Sequence, residues 1–192
     1  MRTATAAAPA RYTATAIALH WLIAALIVCG FTLGLSMVGL PLSRQKLQWY
    51  AWHKWIGITV FLLSCARVAW RWTHAPPPSP PMPEWQRRSA AVSHVLLYVL
   101  LLVIPISGYL YSSSTGVQVV YLGLVPLPDL VPKDKALAAA LRACHVGLNF
   151  TLLTLVCVHA TAALRHHFID RDTVLRRMLP LVQPRGRSKG TA

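Results

Sequence analysis

Residues 142–165 read RACHVGLNFTLLTLVCVHATAALR: a formally uncharged run closed at each end by an arginine, Arg142 and Arg165, and carrying His145 and His159. A membrane-crossing helix needs about 20 predominantly apolar residues, so residues 143–165 predict a span. Fourteen residues make nearly four helical turns, which puts both imidazoles on one face, roughly 21 Å apart in height. One helix therefore presents histidine at two depths. Ionisable side chains inside a membrane are costly, and each becomes a functional candidate by default.

The rest of the chain fits the same reading. Of its 192 residues 55% are hydrophobic and only 12% charged, with a mean hydropathy of +0.49, whereas a soluble domain carries about 25% charged residues. Three more spans are predicted, at residues 17–40, 52–72 and 91–111, giving one domain with an all-α fold, a transmembrane four-helix bundle. A signal peptide is disfavoured for the first, because its apolar stretch far exceeds the roughly 7 to 15 residues of a signal core. Six prolines between Pro76 and Pro83 make a stiff extended connection between spans two and three. Pro105 is expected to kink span three, and the polar cluster Ser112–Gly116 to end it. Residues 117–128 are too short to cross and are expected to lie at the membrane surface.

Lys and Arg sort unevenly between the two sides. Arg2, Arg11, Arg67, Arg71, Arg87, Arg88, Arg165, Arg171, Arg176, Arg177, Arg185, Arg187 and Lys189 fall on the side of the termini. Only Arg44, Lys46, Lys54, Lys133, Lys135 and Arg142 fall opposite. Positive residues stay inside, so both termini are predicted to be cytoplasmic. The formal net charge of +14 points to anionic membrane lipids as partner, not to nucleic acid. Residues 166–192 read as a basic tail, surface-lying where Leu175, Met178 and Leu179 interrupt the arginines. The four cysteines show no CxxC spacing, which gives neither a disulfide framework nor a zinc site.

The fourteen-residue step taken from the other histidines lands on Gly34 from His20, on Arg67 from His53 and on Gly108 from His94. With alternating helix directions, these residues form two layers. The outer one holds His53 and His145 with Gly34 and Gly108; the inner one holds His20, His94 and His159 with Arg67. Opposed imidazoles with glycine walls, including Gly57 one turn from His53, leave clearance for a flat bis-histidine haem. The same glycines also suit helix packing, Gly30 and Gly34 forming GxxxG. No acidic residue lies within any span, which disfavours a bare zinc or copper site and a carboxylate proton relay. Leu141, Arg142, Ala143 and Cys144 precede His145 in place of CxxC, so the haem is expected to be non-covalent, of b type. Helices in cyclic order would make His20 and His94 diagonal partners, so spacing alone leaves the inner pair open.

Ala18-Leu19-His20-Trp21-Leu22, Trp52-His53-Lys54-Trp55-Ile56-Gly57, Ser93-His94 and the tail from Arg171 to Pro180 resemble the prokaryotic cytochrome b561 family. The resemblance covers almost the whole chain. It implies four helices, two haems b and quinone chemistry in the bacterial inner membrane. His53 and His145 would then ligate the periplasmic haem, and His20 with His159 the cytoplasmic one. His94 becomes a neighbour of the ligands or a quinone contact, and Arg67 and Arg71 become candidates for pairing with haem propionates. Family members are thought to oxidise superoxide and reduce ubiquinone, and the cations of the outer connections, set against Asp129 and Asp134, would attract such an anion. Two alternatives stand beside this reading. One is a cytochrome b anchor passing electrons from a partner dehydrogenase or hydrogenase to quinone; the other is a non-catalytic packing protein.

Overall fold

A computed structural model describes residues 11–180. Arg2, Arg185, Arg187, Lys189 and the rest of the basic tail beyond residue 180 lie outside the described residues. Four long helices dominate: α1 (Ala14–Val38), α2 (Arg44–Thr73), α3 (Glu84–Ser114) and α4 (Lys135–Phe168). Side-chain oxygens start three of them by accepting an otherwise unsatisfied backbone N–H. Thr13 accepts from Ala16 at 3.2 Å, Ser43 from Lys46 at 3.2 Å and Asp134 from Leu137 at 2.7 Å. These caps carry α2 and α4 eight residues upstream of the predicted starts, because a helix continues into the interface until a capping residue stops it.

Three of the four, α1, α3 and α4, are long and apolar enough to cross a membrane. The exception, α2, carries Arg44, Lys46, Lys54, Arg67 and Arg71, concentrated toward its two ends. Packing runs α1 on α2, α2 on α3 and α3 on α4. The buried apolar cluster includes Ile23, Val60, Leu101 and Leu152. Val60 lies midway between His53 and Arg67, Leu101 between His94 and Gly108, and Leu152 between His145 and His159. The histidine layers thus stand above and below a packed apolar waist.

Two local regions take a definite form. The polar cluster Ser112–Gly116 ends α3 as expected: Ser112, Ser113 and Ser114 are its last helical residues and are buried, Thr115 is the C-cap, and Gly116 follows at φ 73°. Their polar groups find partners in the protein: the Ser112 hydroxyl donates to Val117 O at 2.9 Å, the Ser114 hydroxyl to Tyr111 O at 2.8 Å, and Asp134 N–H to Ser114 O at 3.0 Å. Satisfied in this way, serines need not break a helix. Residues 117–128 form an antiparallel hairpin, β1 (Val120–Tyr121) with β2 (Val125–Pro126), a small β element within the otherwise helical fold. Its turn holds Leu122 and Gly123 at φ 53° and 73°, the pair of positive φ values that a tight hairpin requires. Trp55 Nε1 donates to Val120 O at 2.7 Å, and Tyr121 Oη meets Thr59 Oγ1 at 3.0 Å, which fastens the hairpin to α2.

The described part of the tail makes tertiary ties. After α4, a single 3-10 turn (Leu175–Met178) returns to the helix ends. Trp21 Nε1 donates to Met178 O and Arg11 to Leu179 O, both at 2.7 Å, while His166 Nδ1 donates to Asp172 Oδ2 at 2.6 Å.

Candidate functional site

The outer layer brings His53 of α2 against His145 of α4, with ring centroids 6.3 Å apart and planes at 89°. His53 Nδ1 lies 3.0 Å from Gly30 O, and His145 Nδ1 lies 3.1 Å from Ile104 O. A carbonyl oxygen only accepts, so each Nδ1 carries the hydrogen and each Nε2 keeps a free lone pair. That tautomer, fixed by a partner on a neighbouring helix, is the arrangement found in metal-ligating histidines. His145 Nδ1 also approaches Ser107 Oγ at 3.0 Å, and the Ser107 hydroxyl itself donates to Ile104 O at 2.7 Å.

The glycines make room in a more specific way than the sequence suggests. A Cβ on Gly108 would stand 2.9 Å from His145 Cε1, and one on Gly34 would stand 3.3 Å from His53 Cε1. Both therefore clear the imidazole rings themselves. Gly57 does face open space. It lines a small, half-open apolar cleft of about 70 Å³, together with Gly30, Phe31, Pro105 and both outer histidines.

In the inner layer His159 faces two imidazoles. The centroid separation is 6.4 Å to His20 and 5.4 Å to His94, with planes at 69° and 68°. His20, His53, His145 and His159 are half-buried, whereas His94 is exposed. One turn along α3 from His94, Tyr98 Oη accepts from Arg67 Nε at 3.2 Å, and the guanidinium carbons of Arg67 and Arg71 lie 5.8 and 5.9 Å from the Tyr98 ring centroid. Among the described residues, neither arginine has a carboxylate partner.

A metal held between two imidazoles, about 2 Å from each nitrogen, sets the ring centroids roughly 6 Å apart. Two pairs meet that requirement, His53 with His145 and His20 with His159. With an apolar cleft, opposed imidazoles and two cations without carboxylate partners among the described residues, the donor set fits haem b. Sequence reading missed the Gly30 and Ile104 carbonyls, Ser107 and Tyr98. The signal for Ser107 was its place beside Gly108, which the fourteen-residue step had marked; nothing in the spacing announced the carbonyls.

The profile of the family described as prokaryotic cytochrome b561 matches residues 11–181. Cytochrome b561 homolog 2 of Escherichia coli (strain K12) is 38% identical over 176 residues, covering 89% of this chain and 92% of that protein. Cytochrome b561 homolog 1 of the same organism is 29% identical over 88% of this chain and 97% of its own. The probable superoxide oxidase CybB of Yersinia pestis is also 29% identical, over 88% of this chain and 96% of that protein.

Proposed function

This chain belongs to the prokaryotic cytochrome b561 family of membrane electron-transfer proteins, and from that premise we propose that it carries two haems b in the bacterial inner membrane, oxidises superoxide at its periplasmic face and reduces ubiquinone. Family membership implies haem b and sets aside the non-catalytic packing alternative. When bound, haem supplies the one-electron chemistry; the protein supplies ligation, depth and electrostatics.

The observation that carries the reading is the near-equality of two ring separations, 6.3 Å between His53 and His145 and 6.4 Å between His20 and His159, on opposite sides of the packed waist. His53 and His145 would hold the outer haem, and His20 and His159 the inner one. His94, closer at 5.4 Å and exposed, stands edge-on beside the inner pair as a neighbour of the ligands. Arg67 and Arg71, supported by Tyr98, would meet the inner propionates.

The topology we propose has four spans, at about residues 17–40, 52–72, 91–111 and 143–165, with both termini in the cytoplasm. The excess of Lys and Arg on the side of the termini supports it. The terminal positions of the charges on α2 support it too, because arginines near a helix end reach the headgroups or pair inside the bundle. Superoxide as donor is supported by the printed name of the Yersinia relative and by the six cations assigned to the outer side, Lys133 and those on the adjoining parts of α2 and α4, which would steer a small anion inward. The balance is two superoxide ions giving two dioxygen molecules, with two electrons and two protons converting ubiquinone to ubiquinol.

The test uses the purified full chain in nanodiscs. Pyridine haemochrome analysis is expected to give two haems b per chain, and a superoxide-generating system is expected to drive ubiquinol formation. A colourless or single-haem preparation overturns the di-haem reading. Ubiquinol formation by the isolated chain also argues against an anchor subunit, which needs its hydrophilic partner.

A further inference from the structure

We propose that Ser107 is a positioning residue for the outer site: its hydroxyl holds the His145 imidazole in place and tunes the reduction potential of the haem that His145 is proposed to ligate. The inference rests on that ligand assignment.

A serine in an apolar helix ordinarily satisfies its hydroxyl by donating to a carbonyl three or four residues back. Ser107 does this, donating to Ile104 O at 2.7 Å, and its side chain is almost fully buried. The bond commits the hydroxyl hydrogen to α3 and leaves an oxygen lone pair to accept from His145 Nδ1–H at 3.0 Å, across to α4. The same N–H reaches Ile104 O at 3.1 Å, so one donor is shared between two acceptors set three residues apart. The next residue, Gly108, lets the ring close onto the α3 backbone, where a Cβ would sit 2.9 Å from Cε1. Ile104, Ser107 and Gly108 thus form a three-sided seat for one imidazole. His53 has no such side chain; its Nδ1 is held by the Gly30 carbonyl. The outer pair is therefore asymmetric, and only the His145 side has an anchor that a point substitution removes without touching the ligand.

Hydrogen bonding at Nδ1 raises the electron donation of a ligating imidazole and favours the more electron-demanding oxidised metal. Removing one of two acceptors lowers that donation, so the potential at the outer site moves upward. A merely structural serine, present to satisfy itself and to pack, would leave the potential where it is.

The experiment is a potentiometric titration, with low-temperature EPR and haem counting, of the full chain in nanodiscs. Wild type, Ser107→Ala, Ser107→Thr and His145→Ala are compared, the last identifying the outer transition by its loss. Two haems per chain are expected in both serine variants. The outer midpoint is expected to rise in Ser107→Ala and to return toward wild type in Ser107→Thr, with the inner midpoint unmoved. Unchanged outer potential and EPR signal in Ser107→Ala, with both haems present, overturn the proposal. If Ser107→Ala loses the outer haem, recovery in Ser107→Thr sustains the role of the hydroxyl and loss in both defeats it. Retention of both haems by His145→Ala instead overturns the ligand assignment itself.

Discussion

The outer and inner histidine layers present nearly the same spacing between opposed rings, 6.3 and 6.4 Å, yet they are built from different materials. Outside, backbone does most of the positioning, with the Ser107 hydroxyl beside it: two carbonyls fix the tautomers, and two glycines let the rings lie against neighbouring helices. Inside, side chains dominate: a third imidazole faces His159, and two guanidiniums gather at Tyr98, one turn along α3 from that imidazole. Backbone is rigid and neutral, and it favours a preset ligand geometry. Long charged side chains adapt, and they suit the propionate contacts proposed at that level. The comparison teaches that equal geometry at two depths need not mean equal tolerance to change.

The largest effects should come from the ligands. His145→Ala is expected to reduce the haem count from two to one per chain and to abolish superoxide-driven ubiquinol formation. His159→Ala should likewise leave one haem, while His94→Ala should leave two; a single haem after His94→Ala would place His94 in the inner pair and break the symmetry of spacing.

Next come the glycines. Overpacking in a well-packed interior costs about 1 to 3 kcal/mol, and Gly108→Ala, with its 2.9 Å approach, should suffer more than Gly34→Ala at 3.3 Å. Haem retention during dilution or mild heating reads the difference. Equal behaviour would mean that the rings shift freely, and the idea of a rigid outer layer would be wrong. Tyr98→Phe removes one hydrogen bond, worth about 1 kcal/mol, but keeps the ring under both arginines. It should move the inner midpoint slightly and leave the outer one alone. Smallest is the response to salt. Screening shortens to about 8 Å at physiological ionic strength, so raising salt further should slow superoxide consumption a few-fold, and an indifferent rate would argue against steering.

Much of this architecture was legible in the residues. Every predicted span falls on a long helix, apart from the last two residues of span one, because long apolar runs in lipid have few alternatives to helix. The six prolines kept residues 74–83 out of helix, as expected. Ends were less legible. The starts of α2 and α4 depend on Ser43 and Asp134 finding the right N–H, whereas the end of α3 falls inside the polar cluster Ser112–Gly116, as read from the sequence. The hairpin at Val120–Pro126 escaped notice because its strands are two residues each and its support comes from Trp55 and Thr59, some sixty positions away.

Spacing alone determined that His145 and His159 share a face at two heights, since the helix repeat depends only on local backbone geometry. It also determined which residues, Gly34, Gly108 and Arg67, share the histidine levels on the other helices. It could not choose between His20 and His94 opposite His159, nor find the carbonyls of Gly30 and Ile104 or the hydroxyl of Ser107. Those depend on how far each helix is rotated and how closely it approaches its neighbours, which side-chain packing across the bundle decides. No single helix encodes that, so only the tertiary structure supplied it.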